Sequence, residues 1–200
     1  ALLLAEQGHD VVGVDLSEGM MSRARKKAEE MGLEIDVRRG DVESLDFDDE
    51  SFDVVVSRWV LWTLLHPEKA ITEWMRVLKP GGRAYAFGSK EPGEKGNWYR
   101  VKANMGRIAI TVIERKNAWA RSDYDRDVKE SLPLHYDKAG PDEKVELFRK
   151  TGFEDVDVID MSAVNRIHEE KSRAVPLRYR LIWSGNEWCC VSGCKPKGGR

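Results

Sequence analysis

The sequence predicts an α/β fold in which short apolar strands alternate with helices, and three observations carry the prediction. Val11-Val12-Gly13-Val14 runs directly into Asp15 and then Ser17, so a mostly β-branched strand ends on an acid and opens a helix. Phe52-Asp53-Val54-Val55-Val56-Ser57 repeats the continuous apolar run of a buried strand. Between these runs the apolar residues switch to helical spacing, and strand, helix, strand units repeated three times imply parallel strands joined by right-handed crossovers.

The elements follow in order. Ala1 to Gln7 reads as the tail of a helix closed by Gly8. From Ser17, an N-cap residue, Met20, Met21, Ala24, Ala28 and Met31 recur at helical spacing as far as Gly32, so the methionine stripe is expected in the core. Leu33, Ile35 and Val37 alternate with charged residues as a short strand, after which Arg38-Arg39-Gly40-Asp41-Val42 turns out of the sheet. An acidic loop, Asp46 to Glu50, leads to the strand of Val54. Pro67 opens a helix with Ala70, Ile71, Trp74, Val77 and Leu78 on one face and His66 placed to cap it. Lys79-Pro80-Gly81-Gly82 breaks that helix before a strand over Arg83 to Phe87.

Beyond Gly88 the pattern changes. Trp98, Val101, Met105, Ile108 and Val112 alternate three- and four-residue steps, a long amphipathic helix inside an insertion from Glu91 to Asp137. That insertion is expected to form a helical lid over the sheet edge and to choose the substrate. Pro141 to Lys150 is a further helix with Gly152 as its cap, and Val156 to Met161 a further strand. Tyr179 to Trp183 and Trp188 to Ser192 flank Ser184-Gly185-Asn186-Glu187, which predicts a C-terminal antiparallel hairpin. Residues 1–200 are expected to form a single domain.

Bulk properties narrow the partners. Lys and Arg number 33 against 35 Asp and Glu, and the formal charge of −2 gives no ground for a nucleic-acid surface or an anionic membrane as main partner. A small-molecule ligand is expected instead. Cys189, Cys190 and Cys194 form no disulfide framework and fit a reducing cytoplasm. Neighbouring strand residues point to opposite faces, so these thiols are expected to be buried or incidental and no metal site is expected.

In parallel α/β sheets ligands bind at the carboxyl ends of the strands. A carboxylate held there accepts hydrogen bonds from both hydroxyls of a ribose, which makes Asp15 a candidate nucleoside contact. Ser57, Arg58 and Trp59 follow the strand of Val54 to the same edge. Trp98 and Tyr99, at the start of the insertion helix, are candidates for an apolar acceptor, and Tyr124 and His135 for the mouth of the site.

Four motifs in this order resemble the class I S-adenosylmethionine-dependent methyltransferases, in particular the small-molecule branch that includes the ubiquinone-biosynthesis type. They are Val-Val-Gly-Val-Asp15-Leu-Ser-Glu-Gly-Met20, Gly40-Asp41-Val42, Phe52-Asp53-Val54-Val55-Val56-Ser57 and Arg76-Val77-Leu78-Lys79-Pro80-Gly81-Gly82-Arg83. The resemblance implies a Rossmann-like, mostly parallel sheet with helices on both faces and a C-terminal antiparallel strand. It implies S-adenosyl-L-methionine as cofactor, with Asp15, Leu16 and Met20 at the ribose end, Gly40, Asp41 and Val42 at the adenine, and Ser57 and Arg58 beside them. Methyl transfer is an in-line displacement that needs collinear positioning more than a catalytic dyad, so no catalytic residue is assigned. The resemblance also places a first strand and a glycine-rich loop upstream of Ala1, so the chain is expected to be truncated at its N-terminus. The resulting gap between the strands of Val12 and Val54 leaves three outcomes: direct pairing of those strands, a homodimer through the exposed edges, or weak cofactor affinity, the last being the expectation. Two alternatives belong to other classes. One is a non-catalytic binding or scaffold protein on the same fold; the other is a nicotinamide-dependent dehydrogenase fragment, which shares the acid after the second strand but does not predict the other three motifs.

Overall fold

A computed structural model describes residues 1–90, 97–115, 117–118, 132–134, 140–182 and 187–198. In chain order these form α1 (Leu2–Glu6), β1 (Val12–Asp15), α2 (Glu18–Glu30), β2 (Asp36–Arg39), β3 (Phe52–Arg58), a 3-10 turn (Leu61–Thr63), α3 (Pro67–Val77), β4 (Leu78–Ser89), α4 (Asn97–Glu114), α5 (Pro141–Lys150), β5 (Glu154–Ile159), α6 (Ser162–Ser172), α7 (Leu177–Ile182) and β6 (Trp188–Cys194). The α/β class is borne out. Ser17 caps α2 as its residue type suggests, its hydroxyl accepting from the Met20 amide at 3.4 Å.

The strands form two sheets. β1 and β2 pair in parallel, and a four-stranded sheet runs β3, β4, β6, β5. Within the second sheet β3 and β4 are parallel, whereas β6 runs antiparallel to both β4 and β5. The described pairings are therefore evenly mixed, where a mostly parallel sheet was expected. β1 and β3 do not pair with each other, so the first of the three expected outcomes for the gap is not seen.

The core lies on one face of the four-stranded sheet. Ala84 and Ala86 of β4 and Val191 of β6 are small enough to let large residues of α3 and α5 approach, among them Ile71, Trp74, Leu147 and Phe148. Phe148 is fully buried and meets Trp74 edge-on at 6.2 Å and Phe153 at 4.9 Å between ring centroids. Gly193 makes the close approach possible: a Cβ there would lie 2.7 Å from the Phe148 ring. Val55 joins this core, but Val54 and Val56, on the opposite face of β3, stand 50% and 46% exposed. The apolar run of β3 is thus covered on one side only, a correction to its reading as a buried strand with helices on both faces.

The Leu78 to Arg83 segment explains the turn expected at Lys79-Pro80-Gly81-Gly82. Leu78 pairs with Phe52 and Arg83 with Val54, so the four residues bulge out of the ladder. Gly81 takes φ of 79°, and a Cβ on Gly82 would lie 2.9 Å from the carbonyl oxygens of both Asp53 and Lys79. Lys79 reaches back across the bulge to the Asp53 carboxylate at 2.9 Å. Asp53 accordingly sits at the amino end of β3, far from the ligand edge.

Three further expectations change. Met21 and Ala28 are buried, but Met20 and Met31 are 53% and 41% exposed, because a two-stranded sheet is too narrow to cover the whole stripe of α2. The segment expected as the first arm of a C-terminal hairpin is helical over Leu177–Ile182, and β6 takes β4 and β5 as partners instead. His66 holds the N-cap position of α3 without a side-chain cap bond; its backbone amide donates to Glu43 Oε1 at 2.9 Å. Among the described residues no helix is long and apolar enough to cross a membrane, and no cluster of His, Cys, Asp and Glu could hold a metal ion.

Candidate functional site

The carboxyl ends of β1 and β2 bring two acids together. Asp15 is the last residue of β1 and stands opposite Arg39 in register, so Gly40 and Asp41 follow directly beside it. The Gly40 amide donates to the Asp15 carbonyl at 3.2 Å, which locks the turn to the strand end. A Cβ on Gly40 would lie 3.0 Å from Val14 Cγ1, so a larger residue here would push the valine side chain back by a few tenths of an ångström.

Each carboxylate is aimed by its own turn. Asp15 Oδ1 accepts from the Ser17 amide at 2.8 Å, and Asp41 Oδ1 accepts from the Glu43 amide at 2.9 Å. Among the described residues Oδ2 of each takes no hydrogen bond. Two acceptor oxygens therefore stand open on adjacent strand ends. A ribose diol and an adenine exocyclic amine are the donors such a pair suits, so the residues present fit the nucleoside part of S-adenosylmethionine. Leu16 and Met20 lie at the same edge, 61% and 53% exposed. Val42 turns inward and packs against the main core.

A network missing from the sequence reading ties this turn to the larger sheet. All donor groups of the Arg76 guanidinium are engaged. Nη1 donates to the Phe47 carbonyl at 2.7 Å and to Asp49 Oδ1 at 2.8 Å; Nη2 donates to the Leu45 carbonyl and Glu73 Oε2, both at 2.8 Å; Nε donates to Glu73 Oε1 at 2.9 Å. Glu73 Oε2 also accepts from the Leu45 amide at 2.8 Å. The hydrogen bonds from Arg76 hold the Glu73 carboxyl below its ordinary range, and Glu73 and Asp49 raise the guanidinium further above its own. The arginine of Arg-Val-Leu-Lys-Pro-Gly-Gly was the available signal, quoted only as part of a motif.

The carboxyl end of β3 carries a second group. Ser57 is buried opposite Ala86, and Arg58 follows it into solvent. Trp59 has φ of 60°, costly for a bulky side chain, and is held there by its amide donating to the Phe87 carbonyl at 3.0 Å. Its ring meets Trp188 edge-on at 5.6 Å, and the Arg58 guanidinium lies over the Trp188 ring at 4.9 Å. Asn165 fixes the backbone of Trp188 from both sides, accepting from its amide at 2.6 Å and donating to its carbonyl at 3.1 Å, while His168 meets the ring at 5.8 Å. No carboxylate among the described residues pairs with Arg58. Trp188, Asn165 and His168 were not anticipated, since nothing local in the sequence links α6 to β6.

Behind Trp59 a cavity of about 10 Å³, room for one water, is lined by Trp59, Leu61, Trp62, Phe87, Ser89 and Lys144. Lys144 is buried, with Nζ 3.1 Å from the Gly140 carbonyl and 3.8 Å from Cys189 Sγ. Burial lowers the Lys144 ammonium pKa and raises the Cys189 thiol, and burial together with Cys189 pushes Cys190 up to about 11. All three cysteines are free thiols, Cys189 and Cys190 buried. In the insertion, Trp98 is exposed and Tyr99 half-buried on α4, away from the groups just described in the chain. Tyr124 and His135 lie outside the described residues.

These strand ends and this order of elements define a class I S-adenosylmethionine-dependent methyltransferase fold. Residues 1–86 match a family model described as "Methyltransferase domain". That match takes in less than half of the chain, which is also similar to proteins named as quinone-biosynthesis methyltransferases. It is 45% identical over 104 residues to a phosphatidylethanolamine N-methyltransferase of Cereibacter sphaeroides, covering 51% of each chain. It is 40% identical over 105 residues to a demethylmenaquinone methyltransferase of Thermus thermophilus, covering 50% of this chain and 48% of that one. The chain thus spans about half the length of these curated relatives. The crystal structure of the [4+2]-cyclase SpnF superposes with a TM-score of 0.62 at 20% identity, covering 98% of this chain and 71% of that one, a likeness of fold. The match over residues 1–86 is to the methyltransferase model and favours that reading over the dehydrogenase alternative.

Proposed function

We propose that the chain carries the cofactor-binding half of an S-adenosylmethionine-dependent methyltransferase acting on a small-molecule acceptor. The observation that carries this reading is the pair of open Oδ2 atoms on Asp15 and Asp41, set on adjacent strand ends by the Gly40 hydrogen bond. Asp15 takes the ribose hydroxyls, with Leu16 and Met20 shielding them. Asp41 takes the adenine amine, the Val42 backbone a ring nitrogen, and Gly40 leaves room for both. S-adenosylmethionine supplies an electrophilic methyl on a sulfonium. This chain contributes orientation, holding the nucleoside so that an acceptor approaches in line. Ser57 and Arg58 lie toward the remainder of the cofactor, and Trp59 toward the acceptor. The 97–114 helix belongs to a lid over the acceptor, with the half-buried Tyr99 on its inward side. The two curated relatives are named for a phospholipid amine and a demethylmenaquinone. A lipid-borne acceptor is therefore the substrate class to try first.

Titration calorimetry with S-adenosylhomocysteine tests the reading. Asp41→Asn leaves an oxygen for the Glu43 amide but replaces the open acceptor with a donor facing the adenine amine. Binding weakened at least tenfold by Asp41→Asn, with a smaller loss for S-inosylhomocysteine, supports it. Equal affinity of wild type and variant for both nucleosides overturns it.

A further inference from the structure

Helix α4 turns an apolar stripe away from the protein. At roughly 100° per residue, Trp98, Val101, Met105, Ile108 and Val112 fall within one sector about 80° wide. All five are between 47% and 72% exposed. The opposite side anchors the helix: Ala103, Gly106 and Ile110 are buried there, and Glu114 accepts from Arg178 Nε of α7 at 2.9 Å and from the Tyr179 hydroxyl. The stripe is thus surplus to the packing of α4.

Its surroundings are basic. At the same roughly 100° per residue Lys102 borders the stripe, Arg100 and Arg107 fall nearer the anchored side and Arg115 follows the last turn, against the single acid Glu114 of this helix, which is already tied to Arg178. The Lys102 ammonium lies 5.7 Å from the centre of the Trp98 ring, so an aromatic and a cation share one border of the stripe. The formal charge of −2 for the whole chain conceals this local excess.

We propose that α4 lies in the headgroup region of an anionic lipid bilayer, its stripe facing the acyl chains and its basic residues facing lipid phosphates. Helices of this kind carry tryptophan and bulky aliphatic residues on one face and lysine or arginine beside them. Area argues against a second copy as the occupant. Eighteen residues make a helix about 27 Å long, and a stripe about 10 Å wide offers about 270 Å². A stable dimer needs roughly 800 Å² per partner, and two copies meeting here would also oppose like charges. A bilayer sets no such minimum. The helix lies on the membrane and does not span it, since no described helix is long and apolar enough. The proposal does not use the acids at the strand ends and stands or falls apart from methyl transfer.

Co-sedimentation of the full chain with phosphatidylcholine vesicles containing about one-third phosphatidylglycerol tests it. The chain should pellet with these vesicles and bind about tenfold less to phosphatidylcholine alone or at high salt. The double variant Met105→Glu, Ile108→Glu should lose about tenfold or more in partitioning with an unchanged circular-dichroism melt, because both sites are already in solvent. Lys102→Glu is the milder second variant, expected to reduce binding to the anionic vesicles only. Failure to pellet with anionic vesicles overturns the proposal, as does undiminished pelleting of the double variant. A dimer in sedimentation velocity that the double variant dissociates also overturns it, by assigning the stripe to a second copy.

Discussion

Replacing Asp15 by Asn separates reading of the ribose from stability of the fold. Oδ1 of Asp15 serves the Ser17 amide at 2.8 Å, and asparagine keeps an oxygen for that bond, so the start of α2 should be preserved. What changes is the open position, where the Oδ2 acceptor becomes an amide donor facing a ribose hydroxyl. A hydrogen bond from a neutral donor to a charged acceptor contributes roughly 1.5–3 kcal/mol. The hydroxyl can turn to accept from the new amide, so a charged bond is exchanged for a neutral one at a loss of about 1–1.5 kcal/mol, which raises the dissociation constant about 5- to 10-fold. The assay is titration calorimetry of S-adenosylhomocysteine against wild type and Asp15→Asn, paired with a thermal melt of each. A dissociation constant unchanged within about twofold, at equal melting temperature, refutes the assignment of Asp15 to the ribose.

Three other outcomes follow from packing and burial. Phe148→Ala empties the centre of the core between Trp74 and Phe153 and should cost about 3–5 kcal/mol in urea denaturation. Gly82→Ala sets a methyl against two backbone carbonyls that cannot step aside and should cost about 1–3 kcal/mol, read as a lower melting temperature. Lys144 is held below its ordinary 10.5 by burial, so near its folded pKa the unfolded chain binds more protons than the native one. Stability should therefore rise as pH climbs through the folded pKa toward 10.5, and Lys144→Met should flatten that rise in denaturation series at successive pH values. The Cys189 thiol, raised above 9.0 by burial, acts in the opposite sense above that pH, so the comparison is cleanest below it.

Much of the plan is written in local pattern. Val-Gly-Val-Asp15 could be placed on a strand, and its acid at the ligand edge, because a strand followed at once by a capped helix admits little else. Leu-Lys-Pro-Gly-Gly could be placed as a break because proline and glycine act through their own backbones. Coverage is another matter. The period of Met20, Met21, Ala28 and Met31 correctly identifies one face of α2, yet only Met21 and Ala28 are buried, since periodicity records orientation and not the width of what lies opposite. Tyr179-Arg180-Leu181 admits a strand by composition, whereas Arg178 and Tyr179 both contact Glu114 of α4 in the helical form, a tertiary preference no local window contains. Arg58 and Trp59 could be placed at the strand end, but their partners Trp188 and Asn165 were invisible for the same reason.

The two sheets share no ladder, so something other than strand pairing must fix the acids of β1 and β2 relative to Ser57, Arg58 and Trp59. The chain between Asp41 and Phe52 does this by wrapping one guanidinium. Arg76 takes the carbonyls of Leu45 and Phe47 and the carboxylate of Asp49 while gripping Glu73 on its own helix, and α3 is itself packed into the core beneath β4. Leu45 and Val42 follow the backbone down into that core. A lysine could not stand in, because a single ammonium cannot meet acceptors lying in several directions within one plane. On the function proposed above, Arg76 therefore acts on ligand recognition at a distance. It places the turn that bears Asp41, and the fit of a nucleoside to both strand ends depends on that placement as much as on the carboxylates themselves.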